Sequence, residues 1–480
     1  MGKGIHIVTV LLAFALCFAL ISCSQDSGSS EEIPGYEAEM NTNDLGGFTM
    51  KYYVSPIEYM EDECVLGYLV NTEFADLATK RIQDVEKELN CKIDIHYVVS
   101  QTVLNNLAGW VISGSRVLDA SQDQSIRTSV SMRDGFLVGL SPYLDVKNTE
   151  KWGSIGMNMG MFWNDDQYGV FPATWPELFT TSLGYPFCVN EDIVAKANLT
   201  DPRELVENNT WTWDVFEEYL HQMTYDNGSY QVYGFATHPV YFVQMMFRSN
   251  GDMLLDITNK SLSVENCGYY TNTAFAALDR AYKILTETCA DCIHPTTDRF
   301  VAANAFRAGE VGIVCSNTEF VIGTETSYVY TCDNFGVLPS PQGPDAKPGD
   351  YHALSESTNY TVTIPIICEN IEETAMILEA LYEPFEEYPT KESILDYMSK
   401  YTFHDSRDME VFWKLSRNTE FAFFNEGARE LTEMISGYSS KRTPAAEALE
   451  AFKSKYTNVF NNYIIRHYNG IKAVWGDEIG

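Results

Sequence analysis

The chain has 480 residues, a formal net charge of −35 and 13% aromatic residues. Such an acid excess, without a basic stripe, excludes nucleic acid and anionic membrane surfaces as partners, since both would repel it. The length implies two or three domains or one two-lobed unit, and 29 Tyr with 26 Phe supply a large core and rings to spare.

Met1 to His6 carries Lys3 as its one full charge, and residues 7–21 then run apolar with Thr9 as the only polar break. That is the length of a signal-peptide core, short of the roughly 20 residues that span a bilayer. The run closes on Leu20-Ile21-Ser22-Cys23, which resembles the lipobox of bacterial lipoproteins. The resemblance implies a signal peptide over 1–22 and acylation of Cys23 on its sulfur and new amino group. Two or more acyl chains anchor a protein stably to a membrane. The mature chain would hold 458 residues, with 31 basic residues against 67 acidic ones. Residues 23–47 are rich in Ser, Glu, Asn and Gly and read as a flexible tether.

From Phe48 onward helical and strand periods alternate. Phe74, Ala78, Ile82, Val85 and Leu89 share one face of a predicted helix that Asn90 stops in a left-handed conformation. Ile93, Ile95 and Tyr97 then alternate with polar residues as a strand. Asp201-Pro202-Arg203-Glu204 predicts a helix start with a capping box, and Thr212 starts another with Trp213, Phe216, Leu220 and Met223 on one face. Asp226-Asn227-Gly228-Ser229 reads as a tight turn, since it lacks the further acidic ligands of a calcium loop. Val232–Phe235 and Val311–Cys315 read as strands. Residues 339–348, with four prolines, predict an exposed loop, and Thr443-Pro444 opens one helix of a helical C-terminal third. Helix and strand in alternation give an α/β protein.

Motifs that carry chemistry are missing. The sequence contains no HExxH, GxSxG, GxxxxGK[ST] or strand-borne GxGxxG. Adjacent carboxylates such as Asp165-Asp166 and Glu372-Glu373 point apart on any regular element and read as solvated surface. No enzyme, metal or cofactor is expected. With Cys17 removed and Cys23 acylated, nine cysteines remain. Their one local cluster is Cys289-Ala-Asp-Cys292 followed by His294; a metal reading lacks a fourth ligand, and a local disulfide or packed thiols stay open.

Five ordered blocks then resemble the extracellular solute-binding proteins of carbohydrate-type ABC importers, the group that includes maltose-binding protein. They are Gly114 to Leu144, Tyr168-Gly-Val-Phe-Pro172 with Leu183 to Asn190, Asn209-Thr-Trp-Thr-Trp-Asp-Val-Phe216, Phe306-x-x-Gly309-Glu310, and Phe335 to Pro341 with Tyr360 to Pro365. Val215 stands where the family usually has Glu. The resemblance implies a two-lobed periplasmic-binding-protein type 2 fold with a hinge. Lobe I would take 48–178 and 353–410, and lobe II 179–352 and the C-terminal helices 411–480.

It further implies a monomer held by its lipid anchor on the outer face of the cytoplasmic membrane. Its partners would be a small solute, a sugar or oligosaccharide, and the permease subunits of an importer. The same fold also serves ligand-sensing co-receptors of sensor kinases and receptors for polar or cationic solutes. Ligand contacts implied by block position are Asp123, Gln124, Trp175, Tyr241, Gln244, Asn317, Asn359, Phe423 and Phe424. Glu319 or Phe320 joins them, depending on a one-residue slip. Trp211 and Trp213 read as packing residues.

Overall fold

The computed structural model describes residues 44–55, 64–99, 101–175, 184–322, 326–355, 359–421, 429–438 and 441–476. Two α/β lobes are built around separate sheets. In lobe I, Phe48–Val54 lies between Cys91–Tyr97 and Ala120–Gln124, parallel to both, and Tyr360–Thr363 runs antiparallel on the outer side of Ala120–Gln124. Met50, Tyr52 and Val54 alternate inward, as the period of a strand requires. The helix Glu73–Glu88 packs against this sheet through Phe74, Ala78 and Val85. Thr72 caps it by accepting from Ala75 N, and Asn90, at φ 47°, turns the chain into the next strand.

Lobe II holds a five-stranded sheet in the order Phe335–Leu338, Phe187–Asn190, Val311–Cys315, Gln231–Thr237, Tyr225–Asp226. Val311–Cys315 is buried at every position, as a strand covered on both faces must be. Its neighbour Gln231–Thr237 is parallel, and Phe187–Asn190 is antiparallel. The turn at 226–229 is tied by side chains: Asp226 Oδ1 accepts from Gly228 N, and Asn227 Oδ1 accepts from Ser229 N and Tyr230 N. Trp211 and Trp213 are packing residues, their indole N–H groups donating to Pro339 O and Ser249 Oγ.

The chain passes repeatedly between the two cores. Trp175 packs in the first core and Tyr185 in the second; Leu354 lies in the second and Val362 in the first; Phe385 lies in the first and Ile394 in the second. The expected segment 353–410 of lobe I therefore divides. Only its stretch from Val362 to Phe385 joins the lobe I core, whereas Ile394, Met398, Phe403 and Met409 pack in lobe II. The reason is electrostatic as well as apolar. Buried Asp408 accepts from Val337 N at 2.7 Å and from Arg203 at 3.0 Å, fastening the helix Ser406–Arg417 under the lobe II sheet. The 48–178 segment is mixed too, since Met157, Phe162 and Phe171 pack with the lobe II cluster. Ala353–Ser355 and Thr419–Phe421 form a two-stranded parallel sheet against the lobe II core. The helix Ile155–Asn158 approaches it so closely that any Cβ on Gly156 would strike the Thr419 carbonyl oxygen.

Three local expectations shift. Asp201 caps Arg203 N, but its carboxylate also grips the Arg203 guanidinium, so it is held by a charge cluster and not by the expected Glu204 capping box. At 443–444 the helix begins at Ala445 with Pro444 in the cap position, one residue later than the expected cap at Thr443. The loop 339–348 is exposed only from Pro344 on; its first half is buried because Gln342 pairs with the backbone at Trp211. Among the described residues, no helix is long and apolar enough to cross a membrane.

Candidate functional site

In open α/β sheets, ligands bind outside the carboxyl ends of the parallel strands. In lobe I those ends are Ser55, Gln124 and the adjoining Asn359; in lobe II they are Thr237-His238 and Ser316-Asn317, with Tyr185 beside them. Most of the described expected contacts fall at or near these strand ends.

At the lobe I end, Asp123 is buried, and its Oδ1 accepts from Gln124 N at 2.7 Å and Arg127 at 3.1 Å. Burial raises its carboxyl above the ordinary value, against the pull of Gln124 N and Arg127. Gln124 closes the strand and reaches the Tyr360 hydroxyl at 3.5 Å. Asn359 is buried, and its carbonyl accepts from Ser125 N at 2.6 Å, locking the start of the helix Ser125–Arg133 to the returning strand.

The lobe II end is aromatic. Tyr185 stacks on Tyr241 at 3.9 Å between ring centroids and 11° between planes. Tyr241 stacks on His238 at 4.4 Å, and His238 meets Tyr438 at 4.4 Å. The column thus runs from Tyr185, 6% exposed, outward to Tyr438, 41% exposed. His238 precedes Pro239 and so forms the N-cap of the helix Pro239–Ser249, whose first turns carry Tyr241 and Gln244. Burial first, and then the nearby Arg429 and Arg299 charges, push His238 down to about 4, so its ring is neutral at pH 7. Asp298 and Glu433 face the same ring and oppose that shift.

Three polar atoms here are buried and have no hydrogen-bond partner: His238 Nδ1, Gln244 Oε1 and Thr318 Oγ1. Leaving such an atom unpaired costs about 1–3 kcal/mol each. Asn317 is buried beside Thr318 at the start of the short helix Thr318–Val321. The helix decides between the two alternatives that follow it. Phe320 turns into the core against Phe300, whereas Glu319 is 39% exposed by side chain and pairs with Arg299 at 3.5 Å.

Trp175 is a correction. It is fully buried, stacks against Tyr68 and Phe385, and donates to Glu383 O at 2.8 Å. Its neighbours belong to the lobe I core, which left it no face for a ligand. Phe423, Phe424 and Cys23 lie outside the described residues. Tyr185, His238, Tyr438 and Phe300 were missed by sequence reasoning. Only His238 carried a local signal, its place before a helix-starting proline; the others are brought in by tertiary contacts.

No family model and no curated protein matches the sequence. Solved structures match in shape. An extracellular solute-binding protein from Staphylococcus aureus, in complex with maltose, aligns with TM-score 0.58 and 13% identity over 86% of this chain and 98% of its own. A cyclo/maltodextrin-binding protein complexed with maltotetraose gives 0.57 and 13% over 86% and 97%. A sugar transporter from Rhizobium etli in an open conformation gives 0.54 and 14% over 90% and 100%. Fold and strand-end geometry together define the class: a two-lobed α/β protein of the periplasmic-binding type 2 fold. The resemblance read in the five sequence blocks holds at the level of that fold.

Proposed function

We propose that this protein is an extracellular lipoprotein that captures a small solute, a sugar or oligosaccharide, between its lobes and delivers it to an ABC importer. The observation that carries the reading is the lobe II strand end, where a column of four rings stands beside three buried polar atoms without partners. The exposed Tyr438 ring would cover a C–H face of a pyranose, and hydroxyls would supply the missing hydrogen bonds to Gln244, Thr318 and His238. The structures it resembles include proteins complexed with maltose and maltotetraose. An importer that reads the closed form requires the solute to bind closed better than open. The role is binding, without turnover.

Screening by thermal shift tests the solute class, because a ligand that binds only the native state raises its Tm. Mono- or oligosaccharides should raise it; a shift with peptides or polyamines and none with sugars would refute the carbohydrate reading. The anchor rests on Cys23. A Cys23→Ser chain should leave the membrane fraction, and retention there would show that acylation is not what holds it.

A further inference from the structure

Cys289 and Cys292, singled out by spacing, have a use that solute binding does not account for. The π-helical turn Ile284–Thr288 ends at Cys289, and a single 3₁₀ turn, Ala290–Cys292, follows. Cys292 N donates to Cys289 O at 2.8 Å. A turn closed by that bond holds its end Cα atoms within about 7 Å, which overlaps the Cα separation of disulfides. Both side chains also reach the same ring. Cys289 Sγ lies 3.7 Å from Nε2 of His221 and Cys292 Sγ 3.3 Å from Nδ1 of the same ring. The expected neighbour His294 is not the partner, since its ring packs against Tyr233.

We infer that Cys289 and Cys292 are a disulfide site, a four-residue clip closed in an oxidising compartment. The clip would fix the end of the helix Asn272–Lys283 and its π turn where Ile293 bridges to Phe235 of the lobe II sheet. The pair Cys188 and Cys315 offers a poorer geometry. Cys188 and Cys315 lie on paired strands one register step apart, so their side chains leave opposite faces. The co-reactant is a low-molecular-weight disulfide such as oxidised glutathione. One Cys thiolate attacks it and releases one small thiol; the second attacks the mixed disulfide and releases another. Two protein thiols become one disulfide, and their two protons end on the two small thiols. Burial lifts both protein thiols above the ordinary value, Cys289 to about 12, so exchange belongs to folding, before the turn is covered.

The test uses the full chain refolded in a glutathione redox buffer. Free thiols are blocked with one alkylating reagent under denaturing conditions, the protein is reduced, and a second reagent marks what was bonded. The site predicts the second mark on both Cys289 and Cys292, and a peptide spanning them that is lighter by two hydrogens before reduction. Oxidised protein should also melt a few degrees higher than reduced protein, with the C289S/C292S variant matching the reduced form. First-reagent labelling of both residues, or a bond from either to a different cysteine, overturns the inference without touching the solute reading.

Discussion

At the strand ends of lobe I polar groups mostly answer one another. Asp123 holds Gln124 N and Arg127; Ser121 bonds Thr363 at 2.9 Å, and Thr128 bonds Thr361 at 2.8 Å, while Ser55 Oγ is left without a partner at this end among the described residues. Lobe II places rings there and leaves His238, Gln244 and Thr318 with unpartnered atoms. Folding alone gives no reason to keep three such atoms, since each opposes stability. Lobe II therefore carries more unpaired buried polar atoms at its strand end than lobe I does.

That contrast can be broken at a buried ion pair of lobe II, at the inner ring and at the outer ring. The largest effect is expected at the ion pair. Glu420, on the strand paired with Ala353–Ser355, is buried against Arg248 at 2.8 Å and accepts from Leu254 N. Glu420→Ala leaves the guanidinium buried and uncompensated, and denaturant unfolding should show a loss of about 3–5 kcal/mol. A loss near zero would mean that water reaches the pair.

His238 gives an intermediate effect with a defined sign. Its folded value, about 4, lies below the ordinary 6.5, so the folded state takes up this proton later than the unfolded chain does. The contribution is intact above pH 6.5 and drains as pH falls toward 4. Between pH 7 and pH 5 the wild type should lose about 2 kcal/mol more than His238→Gln, measured by urea titration at both values. Equal losses would place the ring in water, not inside the column.

The smallest effect sharpens the comparison most. Tyr438 is the exposed end of the column, so Tyr438→Ala should leave unfolding nearly unchanged while weakening solute binding by about tenfold, or roughly 1.4 kcal/mol. Calorimetric titration with the best sugar from the thermal screen reads this directly. Lost stability with unchanged affinity would make the ring a packing residue.

Much of this molecule was legible before any tertiary contact was known. The helix at Glu73–Glu88 follows from the spacing of Phe74, Ala78 and Val85, and its stop from Asn90; the strand Val311–Cys315 follows from an unbroken apolar run. Strand ends are local features too, and Gln124, Asn317 and Asn359 lie at them. Hydrophobicity and turn chemistry act between near neighbours, so a single sequence records them. What only the tertiary structure decided depends on residues far apart in the chain. Trp175 became core because Tyr68 and Phe385 surround it, and the stretch from Ile394 to Met409 joined lobe II because Arg203 and Asp408 meet there. Tyr185, Tyr241 and Tyr438 became one column with His238 although some 250 positions separate the first from the last. Periodicity says which face of an element is apolar; it does not say which distant element will cover that face, and here that choice separated core rings from candidate binding rings.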